Sequence, residues 1–282
     1  MPPRGGDASK ALAAARELRG KVHAINITDG SRAIMRMSSL AVCKLLLEEN
    51  IEPILQITCR DKNRIGLQAE ILGANALGIK NILCITGDSV KAGDQQETKA
   101  VHEFESVRLL RQIQAFNQGI DPTFGKLADQ RTNIFSGAAA NPNLRNQRSL
   151  QSRTRQKKEP GANFLQTQMV MERNYLIEFC ERISKPLDIP VIAGVFLLKS
   201  YKNALFINKY VPGANIPEKI LNRLKDAKDP LKEGIQIAAE QAKDYINIAE
   251  GIHIMAVKAE HLIPQIIEMA DINLEYLSLI HI

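Results

Sequence analysis

Three short strings in this sequence end alike. Ile27-Thr28 stands in NITDG, Ile57-Thr58 in QITCRD and Ile85-Thr86 in CITGD, a recurrence of about 30 residues, the length of one βα unit. Each string closes an apolar run with polar side chains. Asp88 directly follows Gly87 at the end of the most apolar of these runs. A carboxylate held beside a dry cavity in this way can stabilise a cationic intermediate. The same residue reads equally well as a turn aspartate or as the N-cap of the next segment. Gln168, in FLQTQMV, carries an amide that donates and accepts at once, which suits it to grip a heteroaromatic edge. Residue type alone does not separate that role from a structural one.

Other chemistries leave no trace. There is no G-x-G-x-x-G after a strand, no Walker A lysine motif, no H-E-x-x-H and no G-x-S-x-G. The five histidines are scattered, so neither a zinc cluster nor a histidine-centred triad is expected. Of the four cysteines, Cys43, Cys59, Cys84 and Cys180, no two form a C-x-x-C pair, and buried reduced thiols are the plain reading. No apolar run reaches 18 residues and no secretory leader pattern opens the chain, so a cytoplasmic protein without a membrane span is expected.

The net charge of +6 is concentrated rather than spread. Arg145, Arg148, Arg153, Arg155, Lys157 and Lys158 stand in one stretch without an acidic residue. That stretch reads as a solvated helix face or as a cradle for a cofactor phosphate. Nucleic acid is not expected, because no aromatic residue in the segment could stack a base.

These residues need elements to position them. Strands are predicted over 22–27, 53–58, 81–86, 133–139, 163–168, 190–196 and 252–257, alternating with helix-period segments such as SSLAVCKLLLEEN and NRIGLQAEILGANALG. Strict alternation with apolar strands implies a parallel sheet covered by helices. Polar strand ends at one mouth are the mark of a (β/α)8 TIM-type barrel, in which Thr28, Gln56, Thr58, Asp88, Asn141 and Gln168 would converge. The polar loop GDSVKAGDQQETKAVH suits a lid or cofactor rim. A closed barrel needs eight strands and seven are predicted, so the first strand is expected to be missing ahead of MPPRGG. In that opening, Asp7 reads as the N-cap of a helix and Gly20 as its stop. A single barrel domain is expected over 1–272, with an apolar tail of separate origin over 273–282.

The strings RMSSLAVCKLLLEENIEPILQITCRDKNRIGLQAEILGANALGIKNILCITGD, GAAANPN, PGANFLQTQ and IPVIAGVFLLKSY resemble the methylenetetrahydrofolate reductase family, with TCRDKNR and TGD the most specific. The resemblance implies an FAD-dependent oxidoreductase that takes hydride from a reduced nicotinamide or another donor. It would pass that hydride to 5,10-methylenetetrahydrofolate, giving 5-methyltetrahydrofolate in one-carbon and methionine metabolism. By motif position it implies flavin contacts from Thr28, Gln56, Thr86, Gly87, Asp88 and Asn141, a phosphate contact from Lys157, and folate contacts from Gln168 and Tyr201. Asp88 matches the aspartate that tunes the flavin and favours the folate iminium.

The resemblance further implies a homo-oligomer or a complex with an electron-donor subunit. It also places a general-acid glutamate on the strand ahead of Pro2-Pro3, so folate reduction would be impaired in a chain lacking it. Gln56 stands where some members carry His, Asn141 where they carry Tyr, and Pro160 where a small residue is usual. A pterin-handling methyltransferase barrel and a non-catalytic flavin-binding fragment are the alternatives.

Overall fold

The computed structural model describes residues 1–128, 130–144, 146–211 and 213–274. Among them are seven strands and ten α-helices. They divide into two compact units, Met1–Ala138 with Gln156–Asn163, and Ala139–Arg155 with Phe164 onward. The fold class is α/β of the TIM type, as the alternation predicts.

In the first unit, helix α1 (Ser9–Leu18) precedes β1 (Ile25–Ile27), α2 (Ser39–Glu48), β2 (Pro53–Thr58), α3 (Arg64–Ala76), β3 (Asn81–Ile85), α4 (Ser106–Asn117) and β4 (Phe135–Ala140), whose last two residues belong to the second unit. The first regular element is therefore a helix. Its cap departs from expectation. Ala8, not Asp7, occupies the cap position, while the Asp7 carboxylate accepts the Ser9 N–H (2.9 Å) and hydroxyl (2.7 Å). The strands pair in parallel, β1 with β2, β2 with β3 and β3 with β4. Strand β2 is buried at five of its six positions, as a strand covered on both faces must be. Ile54, Ile57, Leu67, Ile71, Ile82 and Phe116 form its packed interior.

In the second unit, α5 (Gln147–Lys158) starts here and ends in the first unit. Then follow β5 (Phe164–Met169), α6 (Arg173–Phe179), β6 (Val191–Phe196), α7 (Tyr201–Tyr210), α8 (Glu218–Asp226), α9 (Pro230–Tyr245), β7 (Gly251–Met255) and α10 (Ile263–Met269). Strand β5 pairs in parallel with β6, and β6 with β7. Asp229 caps α9 by accepting the Leu231 and Lys232 N–H groups, with Pro230 pre-set at the first helical position. At the far end of α9 the buried Tyr245 hydroxyl donates to the Val170 carbonyl at 2.8 Å. Of the tail predicted over 273–282, residues 275–282 lie outside the described residues, as does Arg145 of the basic stretch.

His253, in the middle of β7, has its imidazole pKa pushed down from 6.5 to about 4 by burial. The folded state thus favours the neutral ring. That contribution is complete above pH 6.5 and is lost as pH falls toward 4. Because the residue surface is only partly covered, about half the full linkage is expected, roughly 1–2 kcal/mol. His253→Gln should flatten the loss of urea stability between pH 6.5 and 4; parallel curves for both proteins would refute the assignment.

Candidate active site

In the first unit, the loops after β1, β2 and β3 meet. Asp29 accepts the Thr58 N–H at 2.9 Å. The Thr58 hydroxyl lies 3.4 Å from the Thr86 carbonyl. Gln56, within β2, donates its amide to Asn26 at 3.2 Å. The Thr28 hydroxyl is buried and makes no hydrogen bond to the described residues. A buried hydroxyl without a partner costs on the order of 1–3 kcal/mol, so an end-of-strand Thr held this way is poised for an incoming group. Four of the residues predicted to converge, Thr28, Gln56, Thr58 and Asp88, therefore lie on one linked set of strand ends.

Asp88 is exposed and not held beside a dry cavity as its apolar strand suggested, and its Oδ2 accepts the Arg32 N–H at 2.8 Å. Arg32 and Ala33 both adopt left-handed backbone (φ 58 and 54), which non-glycine residues disfavour. The Asp88 carboxylate holds that turn in place. Its own neighbour Gly87 has φ +97, and a Cβ there would collide with the Thr58 hydroxyl and the Arg60 Cβ. Only glycine allows Asp88 to leave β3 so close to β2.

The loop from Gly87 to His102 then borders an open cleft of about 640 Å³ lined by Thr86, Gly87, Ser89, His102, Phe104 and Arg108. The N-terminal segment docks on the same loops. Arg4 pairs with Asp94 at 2.5 Å, the Pro3 carbonyl accepts the Met37 N–H at 2.8 Å, and Asp94 also accepts the Met35 N–H.

The charged residues of TCRDKNR take roles that residue spacing did not reveal. The Arg60 side chain is only 4 % exposed and makes a bidentate pair with Asp61, at 2.6 and 2.7 Å. Lys62 bridges Asp29 (3.5 Å) and the buried Glu70 (2.5 Å). Burial, its largest influence, works against the Lys62 charge, but Asp29 and Glu70 outweigh it and raise its pKa. Burial likewise pushes the Glu70 carboxyl up, opposed by Lys62. The detectable signal was a run of charges placed immediately after a strand buried at five of its six positions. All four thiols are buried, and burial raises their pKa, to about 12 for Cys59 and about 11 for Cys180. They are protonated and unreactive at neutral pH.

Lys157 occupies the last turn of α5 and is half-buried. In the second unit, Asn141 accepts the Asn143 N–H at 3.1 Å, and Asn143 donates to the Met169 and Gly213 carbonyls. Tyr201 opens α7 and packs against the cluster of Met169, Met171, Leu198 and Ala204.

Gln168 sits in a bulge. Four residues of β5, Gln166 to Met169, stand opposite three of β6, Ile192 to Gly194. Its Oε1 accepts the Met169 N–H at 3.0 Å, and the Thr167 hydroxyl accepts the Gly194 N–H at 2.8 Å. Bulges re-aim a side chain that strict alternation would place elsewhere. Gly194 permits this one, since a Cβ there would lie 2.7 Å from the Gln168 carbonyl oxygen. Gly194→Ala is expected to cost about 1–3 kcal/mol by overpacking, read as a lower urea midpoint; an unchanged midpoint would show that the bulge yields freely.

A family model described as methylenetetrahydrofolate reductase matches residues 1–271. The chain belongs to the methylenetetrahydrofolate reductase family. Two curated members of this family are similar to it. A probable methylenetetrahydrofolate reductase (NADPH) of Caenorhabditis elegans is 23 % identical over 246 residues, covering 82 % of this chain and 34 % of its own length. Methylenetetrahydrofolate reductase 2 of Schizosaccharomyces pombe is 28 % identical over 231 residues, covering 78 % and 35 %. The chain thus spans about a third of the length of these methylenetetrahydrofolate reductases. A solved structure from Clostridium thermocellum, of a protein that binds two copies of 5-methyl-5,6,7,8-tetrahydrofolic acid, shares the fold. Its TM-score is 0.68 at 15 % identity, with 96 % of this chain and 92 % of that one covered.

Proposed function

We propose that this chain binds FAD and reduces 5,10-methylenetetrahydrofolate to 5-methyltetrahydrofolate, with a reduced nicotinamide as electron donor. The observation that carries the reading is the family match across residues 1–271. The name of the worm relative supports NADPH as the donor. The folate bound by the Clostridium thermocellum protein is the product named here.

The residues of the first unit fit a flavin on their own evidence. The unpartnered, buried Thr28 hydroxyl offers a hydrogen bond, and Thr86 and Asp88 are exposed beyond the end of β3. Thr28, Gln56, Thr86, Gly87 and Asp88 would hold the ring system, and Lys157 would meet the phosphates. Bound there, FAD supplies hydride acceptance and donation.

The protein's own groups do the rest. The Asp88 carboxylate, fixed by the Arg32 N–H, sets negative charge where the folate iminium develops positive charge. Gln168 supplies a donor and an acceptor for the pterin edge, and Tyr201 a ring face for the substrate. Desalting the protein after incubation with FAD tests the cofactor assignment. Retained yellow colour that bleaches with NADPH supports it, and colourless protein that remains folded refutes it.

A further inference from the structure

Arg60 makes more contacts than a surface-facing ion pair requires. Its guanidinium has five N–H donors in a rigid fork. Besides the bidentate pair with Asp61, Nη2 donates to the Gly30 carbonyl at 3.1 Å, and Nη1 reaches the Asp88 carbonyl at 3.5 Å. Its own carbonyl accepts the Val101 N–H at 2.8 Å. One residue therefore joins the loop after β1, its own loop after β2, and both ends of the long loop after β3. The contacts close a ring. Gly30 lies two residues before Arg32, whose N–H is held by the Asp88 carboxylate. Gly30 has φ +53, and a Cβ there would lie 2.6 Å from Arg60 Nη2, so the turn is shaped around the guanidinium.

We infer that Arg60 is a positioning residue that fixes Asp88 and closes the loop 87–102 over the cleft, acting through main-chain carbonyls. The neighbouring Asp61 carboxylate, 40 % exposed, neutralises the charge and leaves the remaining donors for the two carbonyls. A lysine has one ammonium and cannot span Gly30, Asp61 and Asp88 together. The inference rests on the proposed role of Asp88 but is tested separately from it.

Amide hydrogen exchange of the flavin-free protein is the first arm, comparing the parent with Arg60→Lys and Arg60→Gln. Peptides covering 29–34 and 86–94 should exchange about tenfold faster or more in both variants, while 53–58 and 81–85 keep their protection. Unchanged loops would overturn the inference. So would uniform acceleration across the unit, or failure of both variants to fold, because Arg60 would then serve general stability.

The second arm uses flavin-loaded protein and the cycle of Arg60→Lys with Asp88→Asn. If Arg60 acts through Asp88, the double variant should turn over folate within about threefold of Asp88→Asn alone. Full multiplication of the two single losses would contradict that. If the parent itself does not reduce methylenetetrahydrofolate, the functional reading fails, and the exchange arm still decides the role of Arg60.

Discussion

Asp88→Asn is expected to lower the rate of methylenetetrahydrofolate reduction by about 10²-fold while leaving the fold intact. The loss follows from removing one fixed charge aimed at a developing cation, an effect on the order of 2.7 kcal/mol or more. The fold should survive because Asp88 is exposed and its carboxylate accepts the Arg32 N–H, while the carbonyl that Arg60 reaches belongs to the main chain. The Asn carbonyl can accept that hydrogen bond in its place. Urea midpoints of parent and variant should agree within about 0.5 kcal/mol. The loss should appear in kcat with little change in KM, since the charge matters most after the folate ring has opened. A variant with full activity would remove Asp88 from the chemistry.

Gly87→Ala should do the opposite, damaging the scaffold first. Two costs add at this position. The backbone at φ +97 is unfavourable for any residue with a Cβ, by about 1–2 kcal/mol. The Cβ would also push into the Thr58 hydroxyl and Arg60 Cβ, an overpacking cost of roughly 1–3 kcal/mol. A loss of about 3 kcal/mol in chemical denaturation is expected. Gly20→Ala is the control. Gly20 has a similar φ of +74 with no atom within 4 Å of the added Cβ, so it should show the backbone cost alone. Equal losses in the two variants would show that close approach of β3 to β2 is not what requires Gly87.

Much of the fold was readable wherever an apolar run had sharp polar borders. PILQIT, bounded by Pro53 and the charges after Thr58, is β2 residue for residue. The prediction over 22–27 was too long for a tertiary reason. Strand β1 pairs with β2 only from Ile25 opposite Pro53, so residues 22–24 have no rung of that ladder to join. Helix α1 begins one residue later than its cap signal implied, because Asp7 serves Ser9 from outside the cap position.

The candidate site was legible as a set of strand ends, since Thr28, Thr58 and Thr86 recur at the βα period and Asp88 follows two residues after the last of them. What holds those ends together was not. The Arg60 contacts join residues 30, 60, 88 and 101, which no local pattern connects. The bulge at Gln168 depends on a missing Cβ on the next strand, at Gly194. Both are properties of neighbours in space, and alternation along one strand is blind to them.

The central claim is that this chain passes hydride from a bound flavin to a folate. Its most direct test is a single-turnover experiment without oxygen, in which FAD-loaded protein is reduced with NADPH, freed of excess donor and mixed with 5,10-methylenetetrahydrofolate. The account predicts that the flavin absorbance returns and that one equivalent of 5-methyltetrahydrofolate forms per flavin. Flavin that stays reduced in the presence of folate, and reoxidises only when oxygen is admitted, would contradict it.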